Sequence, residues 1–173
     1  MMLAQDALNI VSALETAGVI VWLDGGWGID ALAGEQTRPH DDLDLVVALD
    51  QMDAAWQALA RRGYVVVEDE MPTRCAMRDA VGRKIDLHPV TFDAGGGGVQ
   101  QLQDGSTFRY PPDGFLGRGH VGGEAVRCLT AEVQALCHLG YDPDDDDRHD
   151  MLLLSERCGM PLPAPYETVR EEE

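Results

Sequence analysis

Asp42 and Asp44, in "HDDLDLVV", are separated by one leucine and lead into an apolar run. Side chains two apart in a strand project from the same face, so both carboxylates would lie side by side while Leu43 and Leu45 turn into the core. Carboxylates that close repel, and one takes up a proton unless a cation neutralises the pair. Hard oxygen ligands of this kind suit Mg²⁺. A third acid, Asp86 in "KIDLHPV", sits between Ile85 and Leu87 in another apolar run. If the two strands are neighbours the three acids converge. Three carboxylates with two ions make a clamp for in-line displacement at phosphorus. The competing reading places Asp42 and Asp44 where a strand emerges into solvent, holding nothing.

The residues upstream bear on that choice. Gly25 and Gly26 follow one apolar run and precede a helical pattern. A Gly-Gly step lets backbone N–H groups approach an anion, and a helix N-terminus adds its dipole. Arg38, just before the aspartates, is of a type that binds phosphate oxygens. Taken singly, the glycines could be a tight turn and Arg38 a surface residue. The order strand, Gly-Gly, helix, arginine, Asp-x-Asp strand and later strand aspartate is more specific than any of its parts.

Several elements must position these groups. Leu3, Ala7, Leu8, Ile10, Val11 and Leu14 recur at helical spacing, with Gly18 as a stop. Residues 19–24 read as a buried strand, 27–34 as a short helix after the glycines, 43–49 as a second strand and 51–63 as a helix. Three more strands are expected at 64–69, 73–79 and 83–90, and shorter ones near 106–110 and 124–129. Thr130 is the expected N-cap of one helix, "TAEVQALCHLGY", and "DPDDDDRHDMLLLSERCG" forms another. The tail "MPLPAPYETVREEE" reads as a loosely docked extension. The expected fold is α/β (α+β), a mixed β-sheet with helices on one face. Residues 1–129 would form the core and 130–173 a small C-terminal helical portion.

The segments "WLDGGWGIDALAG…TRPHDDLDL", "MPTR", "KIDLHPV" and "CHLGYDPDDDDRHD" run in order over residues 20–154. The first resembles the signature of the polymerase-β-like nucleotidyltransferase superfamily. Together they are most similar to the small lincosamide nucleotidyltransferases, with the aminoglycoside 2″-nucleotidyltransferases as close cousins. The resemblance implies transfer of AMP from ATP to an antibiotic hydroxyl with release of pyrophosphate. It makes Asp42 and Asp44 magnesium ligands, and Asp86 the third carboxylate, either a ligand or the base. It has Gly25, Gly26 and Trp27 cradle the triphosphate with Arg38 beside them, and it suggests a homodimer. Acceptors other than a lincosamide remain open: an aminoglycoside, or a protein, as in toxin–antitoxin nucleotidyltransferases. So does an inactive nucleotide-binding or scaffold protein.

Composition narrows the partners. In 173 residues, 31 acids face 13 Lys+Arg, a net charge of −18 that repels nucleic acid and either attracts metal ions or an amine-bearing small molecule or simply aids solubility. The amino-terminal stretch has no basic n-region, and no apolar run approaches the roughly 20 residues that span a bilayer, so a cytoplasmic protein without membrane contact is expected. Cys75, Cys128, Cys137 and Cys158 form no CxxC pair and read as reduced thiols. Asp30 is expected to face solvent or bond back to the turn, and His40 to shape the loop by hydrogen bonding. Arg74 could reach phosphates or make a strand-end salt bridge. Glu132, His138 and Tyr141 are acceptor-pocket candidates. "GRGHVG" matches GxGxxG outside a strand-to-helix context, and the "DPDDDD" run reads as a helix N-terminus rather than a calcium loop.

Overall fold

The computed structural model describes residues 1–164 and Tyr166. The chain runs α1 (Ala4–Thr16), β1 (Val21–Asp24), α2 (Gly25–Ala33), β2 (Asp42–Ala48), α3 (Met52–Ala60), β3 (Val65–Glu70), β4 (Arg74–Arg78) and β5 (Lys84–Phe92). There follow β6 (Gly98–Gln101), β7 (Thr107–Tyr110), β8 (Arg118–Val121), β9 (Glu124–Arg127), α4 (Ala131–Cys137) and α5 (Asp145–Cys158). Seven strands form one mixed sheet in the order β1-β2-β5-β4-β3, with β6 added to the end of β5 and β7 to β6. Within it β2 and β5 are parallel and the other pairs antiparallel. The expected mixed sheet is therefore present.

Alternation explains how the sheet is packed. Leu43, Leu45, Val47, Ile85 and Leu87 are fully or nearly fully buried and meet the apolar stripes of α1 and α3. Val46 and Val90 point the other way, where Tyr110, Phe115, Leu129 and Val133 cover part of that face. A third cluster joins Ile29 of α2 to Ala131 and Ala135 of α4, and to Met151 and Leu154 of α5. Tyr166 belongs to it, is 1% exposed, and donates its hydroxyl hydrogen to the His138 carbonyl at 2.8 Å. The described part of the tail is thus anchored rather than loose, because the tyrosine supplies both apolar area and a satisfied hydroxyl. The remainder, residues 165 and 167–173, lies outside the described residues.

Two other expectations need adjusting. The helix expected at 27–34 begins at Gly25, so the glycines form its first turn rather than a turn before it; Asp24 is its N-cap and accepts from the Gly25 amide at 2.8 Å. Strands β6 and β8 were not expected, being short and glycine-containing. The "GRGHVG" segment supplies β8, which pairs with β9 and lies on α2, with Gly119 against the Ala31 carbonyl. "GGGG" turns the chain from β5 into β6, its amides bonded to Asp93. The acid run caps α5 as expected: Asp144 and Asp147 form a reciprocal capping box. All four cysteines are free thiols, and among the described residues no helix is long and apolar enough to cross a membrane.

Candidate active site

Strand register builds the site. Asp24 of β1 is paired with Asp44 of β2, and Asp44 with Asp86 of β5, so three carboxylate-bearing positions form one row across the sheet. Asp42 and Lys84 are paired in the row on one side of it, and Val46 and His88 in the row on the other. Directly paired residues share a face, so Asp42, Asp44 and His88 rise together on the side opposite Leu43 and Leu45. That side is the floor of a cleft of about 540 Å³. Asp24, Gly25, Gly26 and Trp27 edge it; His138 and Tyr141, after α4, face the floor from across the cleft.

Asp86 is adjacent to Asp44 but does not line the cleft. Its carboxylate is held by Lys84 Nζ at 2.7 Å and Arg74 Nε at 3.0 Å. Lys84 Nζ also stands 3.8 Å from Asp42. Arg74 pairs with Glu68 and Glu70 as well, so it makes the strand-end salt bridge of the two readings offered. Glu132 lies outside the cleft, beside an apolar groove formed with Leu136, Leu139 and Met160.

The floor carries more negative charge than it can comfortably hold. Burial, then the neighbouring charge of Asp44, pushes the Asp42 carboxyl above its ordinary value. Burial also raises Asp24, with His88 opposing and Asp44 adding. His88 is drawn in: burial alone would lower its pKa, but its 3.1 Å hydrogen bond to Asp44 and the surrounding carboxylates raise it. Its other nitrogen faces Gln100 at 3.4 Å, whose Oε1 accepts from the Tyr110 hydroxyl at 2.7 Å. Among the described residues no three acidic, histidine or cysteine side chains are already drawn round one point as a cation cage. The donor chemistry fits a hard divalent ion at Asp42 and Asp44 all the same: both are carboxylates on the cleft floor, and a cation would relieve the repulsion that raises Asp42.

The glycines are required by packing as well as by any ligand. Gly25 has φ +56°, and a Cβ there would lie 2.8 Å from Asp44 Oδ2. A Cβ on Gly26 would lie 2.6 Å from Arg38 Nη2 and His40 Cε1. Trp27 is buried and its ring lies 4.7 Å from that of His40. His40 Nε2 meets Asp30 at 2.5 Å, and Asp30 also accepts from the Thr37 amide and hydroxyl, so this buried acid ties α2 to the loop before β2. Arg38 lines the cleft with its guanidinium paired to Asp150 and Asp146 of α5.

Sequence reasoning passed over Asp24, His88 and Asp150 as site residues. His88 was recoverable, since it stands two residues after Asp86 on the same strand face. Asp150 was hidden inside an acidic run whose other members cap a helix.

The family model described as Aminoglycoside-2″-adenylyltransferase matches residues 6–154. The chain belongs to that family. It is 30% identical over 147 residues to a lincosamide resistance protein from Staphylococcus haemolyticus, spanning 85% of this chain and 91% of that one. It also resembles the lincomycin-bound crystal structure of the lincosamide antibiotic adenylyltransferase LnuA, with TM-score 0.81, 28% identity, and 90% and 98% of the two chains covered. The complex of ANT(2″)-Ia with adenylyl-2″-tobramycin shares the fold at TM-score 0.70 and 20% identity, covering 90% and 89%. As a family member the chain is a nucleotidyltransferase, a class of enzyme that uses a nucleotide donor and typically a divalent metal.

Proposed function

We propose that the protein moves an adenylyl group from ATP to a hydroxyl of a lincosamide such as lincomycin or clindamycin, releasing pyrophosphate. The observation that carries this reading is the carboxylate row beside a helix N-terminus: Asp44 registered with Asp86, Asp42 on the same face, and α2 starting at Gly25. The similarity to a lincosamide resistance protein favours the acceptor. Asp42 and Asp44 would hold Mg²⁺, two ions in all with Asp86, and the metal supplies positive charge at the triphosphate. The amides of Gly26 and Trp27, early in α2, have no intrahelical acceptor and face the phosphates, with Arg38 beside them.

In the reaction the acceptor oxygen bonds to the α-phosphorus, the bond to the bridging oxygen breaks, and pyrophosphate leaves. The hydroxyl proton passes to a carboxylate; Asp86, held beside Asp44 by Lys84 and Arg74, is the candidate for that role or for a third metal ligand. His138 and Tyr141 would meet the acceptor: both line the cleft, and His138 donates its Nδ1 hydrogen to the Gln134 carbonyl at 2.8 Å while its Nε2 stands 3.7 Å from Asp147 Oδ1. In this reading residues 1–129 hold the donor, and the helical portion from residue 130 forms the acceptor wall. The acidic cleft suits an acceptor bearing a protonated amine. The working form would be a cytoplasmic homodimer, which light scattering tests.

Incubating the protein with ATP, Mg²⁺ and lincomycin or clindamycin should give a drug mass raised by one adenylyl group. No such product from any lincosamide would overturn the acceptor; product from an aminoglycoside in the same panel would reassign it. Chelation with EDTA should stop the transfer, and Mg²⁺ should restore it.

A further inference from the structure

Arg38 stands in an unfavourable place for a cation. Its Nη2 packs on Gly26, in the first turn of α2, where helix dipole and unpaired amides already present positive charge. Left alone, the side chain would swing into solvent. What holds it is Asp150 on α5, 112 residues later in the chain. Both Asp150 oxygens are engaged: Arg38 Nε donates to Oδ1 at 2.9 Å and Nη2 to Oδ2 at 2.6 Å, the two-pronged geometry that fixes a guanidinium plane. Asp150 is 1% exposed, so it cannot follow the arginine out, and Met151 and Leu154 beside it are buried against α2. Asp146 and the Pro39 carbonyl take the Nη1 hydrogens at 3.0 and 3.3 Å. One N–H of the five, on Nη2, is left over beside Gly26.

We infer that Asp150 is a positioning residue for the donor site: from α5 it locks Arg38 against the N-terminus of α2, so that one guanidinium hydrogen and the helix amides converge on the same phosphate. The inference rests on the proposed binding of ATP at α2. It makes donor affinity depend on a carboxylate that never touches the nucleotide. The same contact couples the acceptor wall to the donor lip, because α5 carries Asp150 and also Asp147, whose oxygen accepts from the Tyr141 hydroxyl at 2.9 Å.

The test is a cycle on ATP binding, read by calorimetry with Mg²⁺ and no acceptor, in wild type, Asp150→Asn, Arg38→Ala and the double variant. Asp150→Asn should weaken ATP about tenfold, the size of one lost charge-assisted hydrogen bond, and should add nothing further in the Arg38→Ala background. In turnover the loss should appear in KM for ATP more than in kcat. Equal loss in both backgrounds, or no loss, overturns the inference. If Asp150→Asn does not fold, Arg38→Lys decides. Lysine keeps the charge but cannot bridge both oxygens, so ATP should still weaken, and unchanged affinity overturns the inference. Failure of wild type to bind ATP would instead bring down the functional reading beneath it.

Discussion

At the scale of single residues, a strand's period of two sets the chemistry of the cleft floor. Asp42 and Asp44 on one face, with Leu43 and Leu45 on the other, follow from that period alone. The place of Asp24 in the row did not follow, since register between β1 and β2 is a tertiary outcome. Asp86→Asn should lower kcat by about 10²–10⁴-fold if this carboxylate takes the hydroxyl proton, with ATP binding largely spared. An equal loss of ATP affinity would make it chiefly a metal ligand. Gly26→Ala should act through Arg38 and His40, which a Cβ would meet at 2.6 Å. With Arg38 pinned by Asp150 and His40 by Asp30, neither can yield freely, so a cost of about 1–3 kcal/mol in stability is expected, with a higher KM for ATP. Thermal melts and steady-state kinetics on one preparation check both.

Among elements, the core strands and helices were readable because their burial patterns are long and regular. The start of α2 was not: glycine has poor helix propensity, and Asp24 capping and packing against β2 override it here. Strand β8 escaped notice for a related reason, since its glycine marks a close backbone approach rather than a turn. The β4–β5 connection gives a pH-dependent test. Asp79 accepts from the amides of Val81 and Arg83 and from the Arg83 side chain, which also reaches Asp6 of α1. Burial opposes ionisation of Asp79, but these bonds prevail and hold its pKa below the ordinary value. A depressed folded pKa stabilises fully above the unfolded value, about 3.9, and that contribution is lost as pH falls through the folded one. Asp79→Asn should therefore melt lower than wild type at pH 7, and the gap should close below about pH 4. A gap independent of pH would count against the ion pair as its source.

For the molecule as a whole, the sequence pattern changes to helices after Thr130, and α2 packs on both of those helices. Tyr166 joins that packing: it reaches back to the cluster around Ile29 and bonds the carbonyl of His138 at the cleft wall. Tyr166→Ala should cost about 3–5 kcal/mol, as for other large buried aromatics, whereas Tyr166→Phe should cost nearer 1. Urea titrations of the two variants separate the apolar from the polar part. Lys84 carries a consequence at this same scale. It is the sole lysine in the chain, and its ammonium is tucked between Asp42 and Asp86. Apart from the α-amino group, every amine-directed acylating reagent must therefore report on one spot. Lys84 makes the chain its own footprinting label, a single mass-tagged position whose reactivity rises or falls as the carboxylates beside it change partners.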